Sequence, residues 1–584
     1  MNKYPCFFLD CSSPVQKTYE ALRAFHVDNL PSKNIAEKFG YSLDYFNKIK
    51  SQFHKQISGG CPPDIFITKK PGAPTKEGTI ELTNVILQLR EQGMSVPDIQ
   101  VVLSSKNNNL SNRWIDNILK KHNFNRLEKR TKQDALKLKV PKKILPDPSH
   151  QIDINELCGR TYRTIDGGIF YFLPLIIKLK IHNIIKEAGF PETSVLSNIN
   201  STLSILSLKL MDKERLSHTH ALSFDAGLGL FTALNVLPKD TCISSYSYNV
   251  TREMNVKFLK MLAKNVNKIM EFSGDINLDF TAIPHWGDKS VLKKNWSGTR
   301  RKALKSVLAV LAQDSETGIL CYGNAEVDKD SSKFEVLSFI DFWRDSKLGD
   351  LKCLIFDSKF TTLENLRKID RDNIKFITIR ERNENLVNEF KSNNKKRWEK
   401  VKLDNVKRKY RKLLVNDTKI VIELYDKTKK IRQIVIKNHG REEPTFILTN
   451  EFDLTTKQIV TKYARRWLVE KGISETISFF HLNLLSSSIV IKVDFDLTMT
   501  ILAHTLYKLL ANQLPGFENQ TAKSLYVDFV HNGADIEIKK NEIHVKMLKK
   551  SHNPIIMSSE LFNTVVKVPW LNNFRLIFST QNTT

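Results

Sequence analysis

Close cysteine pairs are missing from this sequence. The seven cysteines (Cys6, Cys11, Cys61, Cys158, Cys242, Cys321 and Cys353) are scattered, and none forms a Cys-x-x-Cys pair. That spacing excludes a cysteine-based zinc module and a disulfide framework, and it fits a reducing compartment. Apolar runs of membrane length are missing as well. The greasiest stretch, 169–181, is interrupted by Lys178 and Lys180, whereas a spanning helix needs about 20 apolar residues. Residues 1–14 lack the basic start and apolar core of a secretory signal. The expectation is a cytoplasmic, nucleoid-associated protein with no membrane partner. Acid is in short supply: 63 Asp and Glu stand against 90 Lys and Arg, for a formal charge of +27 and a pI near 9.5. An excess of that size calls for a polyanion, and nucleic acid comes first.

What is present is length and apolar content. With 584 residues and 41% hydrophobic side chains, the chain has room for several domains with large cores. Residues 17–53 read as three short helices. Ala21, Leu22 and Phe25 recur at helical spacing, and Ser32 is placed to cap a helix whose apolar face is Ile35, Ala36 and Phe39. Gly40 ends that helix, and another begins at Leu43. The pattern is that of a helix-turn-helix, with an ordinary three-helix core as the plain alternative. We place this first unit at 15–57. Glycines, prolines and lysines make 58–77 a basic linker. A second unit, 78–127, holds helices over 79–90, 95–103 and 111–122. Val96, Ile99, Val102, Trp114, Ile115 and Ile118 supply its core, and Arg113 and Lys120 remain outside as DNA contacts. Two such units joined by a basic linker read as a bipartite DNA reader.

Residues 128–273 form a connector and a helical bridge, with long apolar-periodic helices over 170–188, 198–211 and 254–272. The glycines of Gly227-Leu228-Gly229-Leu230 lack the Gly-Lys-Ser/Thr ending of a phosphate loop, so they read as a packing or turn feature.

Candidate chemistry begins at Asp279. Ile276, Leu278 and Phe280 alternate with Asn277, Asp279 and Thr281, which is the period of a strand. Asp279 therefore projects mid-strand, opposite the apolar face. Strands over 306–313 and 318–327 follow, joined by a hairpin turn at 314–318, then a helix over 334–344. His285, Trp286 and Asp288 read as a surface turn. The continuously apolar run 351–356 reads as a buried central strand, and Asp357 stands at its C-terminal end. A helix over 362–369 and a strand over 374–379 complete the unit.

Basic blocks follow. Lys395, Lys396 and Arg397 precede Trp398, and Lys407 and Arg408 lead to Tyr410. Cations interleaved with aromatics suit a nucleic-acid backbone and its bases. Strands over 420–425, 431–437 and 445–448 then form a small β element. A single helix over 455–480 carries Tyr463, Arg466 and Glu470. Positions three and four apart share a helix face, so a phenol, a guanidinium and a carboxylate fall in one stripe. We read Glu470 as a metal ligand and Tyr463 and Arg466 as holding a phosphate backbone. Glu475, about 140° further round the helix, ranks below Glu470. Two strand-borne acids and one helix-borne acid suit two divalent cations acting on a phosphodiester, because Mg²⁺ takes hard oxygen ligands.

Asp279, Asp357 and the helix Tyr463-x-x-Arg466-x-x-x-Glu470 resemble the DDE transposases of prokaryotic insertion sequences, in the subgroup with a Tyr-Arg-Glu-Lys helix. The resemblance covers roughly 275–510. It implies a multidomain α+β protein: N-terminal helix-turn-helix units, a helical bridge, and an RNase-H-like α/β catalytic core over 274–515 with a β insertion at 390–450. Residues 516–584 remain as a C-terminal tail. By resemblance Asp279, Asp357 and Glu470 are catalytic and hold two Mg²⁺ or Mn²⁺ ions, while Tyr463 and Arg466 contact the element end. The partner is double-stranded DNA, with a homodimer in the synaptic complex. The family's lysine falls seven residues after the glutamate, where this chain has Ile477; Lys471 and Lys492 are the nearby substitutes. The implied reaction is strand cleavage at terminal inverted repeats followed by strand transfer. The rival readings are a non-catalytic helix-turn-helix regulator and a metal-dependent nuclease without strand transfer.

Overall fold

The computed structural model describes residues 13–59, 77–105, 110–125, 127, 147–213, 219, 222–284, 292–297, 302–392, 398–403, 412–422, 429–440, 443–482 and 490–581. Within helices and strands, the side chains of 77–80, 105, 297, 391–392, 467–471 and 491 are outside the description. The chain divides into two compact units, Met1–Ile144 and Leu145–Thr584.

The first unit contains two groups of three helices. The first group is Pro14–His26, Ser32–Lys38 and Leu43–Ser58, around Ala21, Ala24, Ile35 and Phe46. The residue before the second helix is Pro31, so Ser32 is its first member and not its cap. Ser42 does cap the third, accepting from the Tyr45 amide at 3.2 Å. The second group is Glu77–Glu91, Val96–Ser105 and Asn112–Lys121. Its centre is Ile86, Ile99, Leu103, Ile115 and Leu119, with Val96, Val102, Trp114 and Ile118 at the margin.

The second unit opens with a short strand, β1 (Thr161–Thr164). The apolar run after it is not one helix. It breaks into Gly167–Tyr171, Phe172–Lys178 and Ile181–Glu187, and Lys180 turns the chain in a left-handed conformation. Asn198–Leu210 and Arg252–Asn267 are the long helices of this region. The glycine pair lies in the helix Ala226–Phe231, where a side chain on Gly229 would strike the Leu234 carbonyl; it is a packing feature.

A large mixed sheet follows. Its strands are β2 (Asp275–Pro284), β3 (Lys294–Ser297), β4 (Lys302–Asp314), β5 (Leu320–Asn324), β6 (Cys353–Phe356), β7 (Lys375–Ile379), β8 (Glu399–Lys402), β9 (Lys412–Val421), β10 (Lys430–Lys437) and β11 (Thr445–Thr449). The order is β3-β4-β2-β6-β7-β11-β10-β9-β8, and β5 pairs with β4 off this path, at Val310–Gln313. β2, β6 and β7 run parallel, and every other pair is antiparallel. All four residues of β6 are buried, as a strand covered on both faces requires. The strands expected as a small β element are strands, but they extend the same sheet: β11 pairs directly with β7. The first of them occupies 412–421, while 423–425 lie outside the described residues, and β8 lies inside the basic stretch.

The expected helix over 455–480 is two helices, Thr456–Arg465 and Trp467–Ser478. Thr455 and Gln458 close a capping box at its start. At the break, the Arg466 amide donates to the Tyr463 carbonyl three residues back, the tighter turn of a 3₁₀ step. The helix Val490–Asn512 then packs against β5 and the helices Asn198–Leu210 and Arg252–Asn267. Its buried Asp494 ties these layers together, accepting from Arg252 at 2.8 Å, Asn255 at 2.9 Å and the Ala325 amide at 3.0 Å. The tail adds β12 (Ala534–Lys539), β13 (Glu542–Met547), β14 (Val566–Val568) and β15 (Phe574–Thr580), which join β1 in a second sheet. Among the described residues no single helix is long and apolar enough to cross a membrane.

Candidate functional site

Asp279 leaves the middle of β2, and Asp357 follows the last residue of β6. The two strands are parallel neighbours with Leu278 beside Phe356. The residue after each of this pair is an acid, so Asp279 and Asp357 leave neighbouring strands at the same level. Asp357 ends its strand by capping the turn Ser358–Phe360, accepting from the Ser358 amide at 2.8 Å. Asp279 accepts from the Phe280 amide at 2.9 Å with one oxygen. With the other it takes Arg466 Nη1 at 2.6 Å.

The helix Thr456–Arg465 supplies the wall over these acids. Arg466 and Asp279 are mostly buried, at 13% and 15% side-chain exposure. One turn back, Lys462 donates to Asp275 at 2.5 Å. Burial pulls the Lys462 ammonium pKa down, but the bond and charge of Asp275 outweigh it, and the net shift is upward. The helix is thus pinned to β2 at two points. Tyr463 lies between them, its ring centroid 5.6 Å from the Arg466 guanidinium carbon. Burial pushes its phenol up to about 12; Asp357 and Asp279 add to the shift and Arg466 opposes it. Tyr463 is therefore a protonated donor at neutral pH. Sequence reasoning missed Lys462 and Asp275, although each stands four positions before a residue it did select.

Glu470 lies in the helix Trp467–Ser478, and its side chain is outside the description. Gly472 lets that helix approach β4: a side chain there would come 2.8 Å from Gln313 Nε2. Glu475 turns away from the acids and accepts from the Ala522 amide at the start of the helix Ala522–Leu525. Ile477 packs on the core. Lys492 donates to Ser244 at 2.8 Å and covers the Tyr248 ring, and the Lys471 side chain is not described. His481 pairs with Asp212 at 2.7 Å just past the helix end.

Of the basic residues selected from sequence, Lys120 is exposed and pairs with Asp116 at 2.6 Å, and Arg113 is exposed on the same helix. Lys395, Lys396, Arg397, Lys407, Arg408 and Tyr410 lie outside the described residues, as do His285, Trp286 and Asp288. Trp398 packs edge-on against Phe390 under Lys437. Among the described residues no group of three or more His, Cys, Asp or Glu side chains is placed to hold a metal.

The segment 278–506 matches the family model of the transposase DDE domain. The matched span contains Asp279, Asp357, Tyr463, Arg466 and Glu470. The chain is similar, over that span, to DDE transposases, as the sequence motifs indicated. No curated protein matches it. Among solved structures it is similar to a piggyBac transposase in a synaptic complex with hairpin DNA, at 10% identity over 64% of this chain and 82% of that one. The TM-score is 0.35, too low to define a shared fold.

Proposed function

We propose that this protein is a DNA transposase that binds the terminal inverted repeats of a mobile element, cleaves DNA there and joins the freed end to target DNA. One observation carries the reading: two acids that leave neighbouring parallel strands at the same level, under a Tyr–Arg helix, inside a segment that matches the transposase DDE domain. The donor set suits hard divalent cations, and the Arg466 guanidinium on Asp279 supports a carboxylate that faces positive charge. Asp279, Asp357 and Glu470 would hold two Mg²⁺ or Mn²⁺ ions, which supply an activated water or 3′-hydroxyl and stabilise the leaving oxygen.

The chain's own groups do the positioning. Tyr463 offers a neutral O–H and Arg466 a planar fork of donors, both suited to phosphate oxygens. The core would have RNase-H-like character, with β8–β11 as its β insertion. The two three-helix groups would serve as helix-turn-helix readers of the repeats, through Arg113 and Lys120 among others. A homodimer would bring two ends together.

The test is to incubate the full chain with labelled terminal repeats and Mg²⁺. A transposase shifts, cuts and joins; a nuclease cuts without joining; a regulator only shifts. Asp357→Ala is expected to abolish cutting and keep the shift. Cutting that survives this change overturns the assignment of the acids.

A further inference from the structure

The strand beside β2 does not stop at the level of the acids. β4 pairs with β2 as far as Ser306, opposite Pro284, and then runs back through Lys305 to Lys302 paired with β3. Residues opposite each other in an antiparallel ladder share a face, and successive residues alternate. One face of this hairpin holds Asn295, which is buried and donates to the Ser306 carbonyl at 3.0 Å. The other face holds the pairs Lys294–Lys305 and Trp296–Ala303.

That outer face is poorly made for folding. Lys294 is exposed on this face beside Trp296. Trp296 is 65% exposed, more than any other aromatic side chain among the described residues. Ala303 opposite it is small and leaves the indole face open. The nearby acids Asp328 and Asp330 are engaged by Lys293 at 3.1 and 2.8 Å. In sequence, seven Lys and Arg and no acid lie between Asp288 and Asp314. Cations flanking an open indole match the two features of an unpaired nucleic-acid strand: charged phosphates and bases with free faces.

We propose that this hairpin face binds a single-stranded stretch of the DNA substrate, with Trp296 stacking on a base and Lys294 neutralising a phosphate. The inference rests on the transposase reading, in that the strand is the one flanking the cut. Its position along that strand follows from register. Asp279 pairs with Leu311 and Trp296 with Ala303, eight residues apart on β4, which is about 27 Å. An unpaired strand spans more per nucleotide than the 3.4 Å of a duplex, so the stacked base lies no more than about eight nucleotides from the phosphate at Asp279.

The experiment uses the full chain and two fluorescein-labelled probes: a blunt duplex, and the same duplex with a single-stranded extension of about twelve nucleotides. The wild type is expected to bind the extended probe more tightly. Trp296→Ala should weaken that binding about tenfold, leave the blunt duplex unchanged and leave the melting temperature unchanged. Trp296→Phe should retain most of the preference. Lys294→Ala should flatten the salt dependence by the equivalent of about one single-strand phosphate, a slope change of roughly 0.7. A wild type with no preference for the extension, or a Trp296→Ala protein that keeps it, overturns the hairpin contact and leaves the transposase reading standing. A wild type that shows these binding effects yet never cuts terminal repeats sinks the transposase reading and leaves the hairpin contact intact.

Discussion

Arg466 donates to the Asp279 carboxylate at 2.6 Å, with both side chains largely withdrawn from water. The guanidinium supplies the positive charge that this acid needs when no other cation is near. Replacing Arg466 by methionine keeps the bulk and removes the charge. Breaking a buried pair from one side costs about 3 kcal/mol, so the urea midpoint should fall. Mn²⁺ should restore part of the loss by binding the folded state alone. The expected result is a larger Mn²⁺-induced rise in melting temperature for Arg466→Met than for the wild type, and none for Arg466→Met combined with Asp279→Asn. An equal rise in all three would mean that Asp279 is not where the metal sits.

How much of this was legible beforehand depended on the range of each interaction. Asp279 and Asp357 could be placed on β2 and at the end of β6 because alternation marks the one strand and a continuous apolar run marks the other; both signals are local. Their adjacency rests on the pairing of Leu278 with Phe356, which no window of sequence contains. The break at Arg466 was invisible for a different reason. Residues 455–480 hold no proline, and the break is one shortened backbone bond. β3 is a four-residue strand of polar side chains and Trp, and no period can be read from so few. β1 pairs with β12, so a stretch that read as mainly helical hides a strand whose partner lies near the far end of the chain. The strands β10 and β11 were legible as strands, and β9 only at its last two residues. Their place on the edge of the main sheet depends on β11 meeting β7.

Two glutamates on one helix compete for the role of third acid, and the structure gives one of them other work. Glu475 accepts from the Ala522 amide and stands 3.9 Å from His504. Glu475→Ala should cost about 1–2 kcal/mol through the unsatisfied amide, read as a lower urea midpoint, while cutting of terminal repeats continues. Glu470→Ala should do the reverse and abolish cutting with little change in stability. If Glu475→Ala alone stops the cutting at full stability, the order of the two is wrong.

Gly472 and Gln313 are coupled through space. The Gln313 amide donates to the Gly318 carbonyl at 2.8 Å, and a side chain on Gly472 would press on that amide. Gly472→Ala in the wild type should therefore destabilise by about 1 kcal/mol as the bond is disturbed. In a Gln313→Ala background the obstacle is gone, and the same change should stabilise, since alanine is favoured over glycine in a helix by up to about 1 kcal/mol. A double-mutant cycle on urea midpoints measures the reversal of sign. Equal effects in both backgrounds would mean that the helix carrying Glu470 does not rest on Gln313.

His504 is fully buried, and neither ring nitrogen has a hydrogen-bond partner. Burial, with a smaller push from Lys508, lowers its pKa to about 3. Glu475 at 3.9 Å is too far to hydrogen-bond and does not reverse the shift. In the unfolded chain the imidazole titrates at about 6.5. Between these two values the unfolded state binds the extra proton, so stability is full above about 6.5 and falls as the pH drops toward 3. Each pH unit in that window costs up to about 1.4 kcal/mol from this one residue. Unfolding followed at a series of pH values should show that slope in the wild type and a shallower one in His504→Leu, with the two curves meeting in shape above pH 7. Parallel curves from 7 down to 4 would show that the buried ring takes up its proton without opening the core.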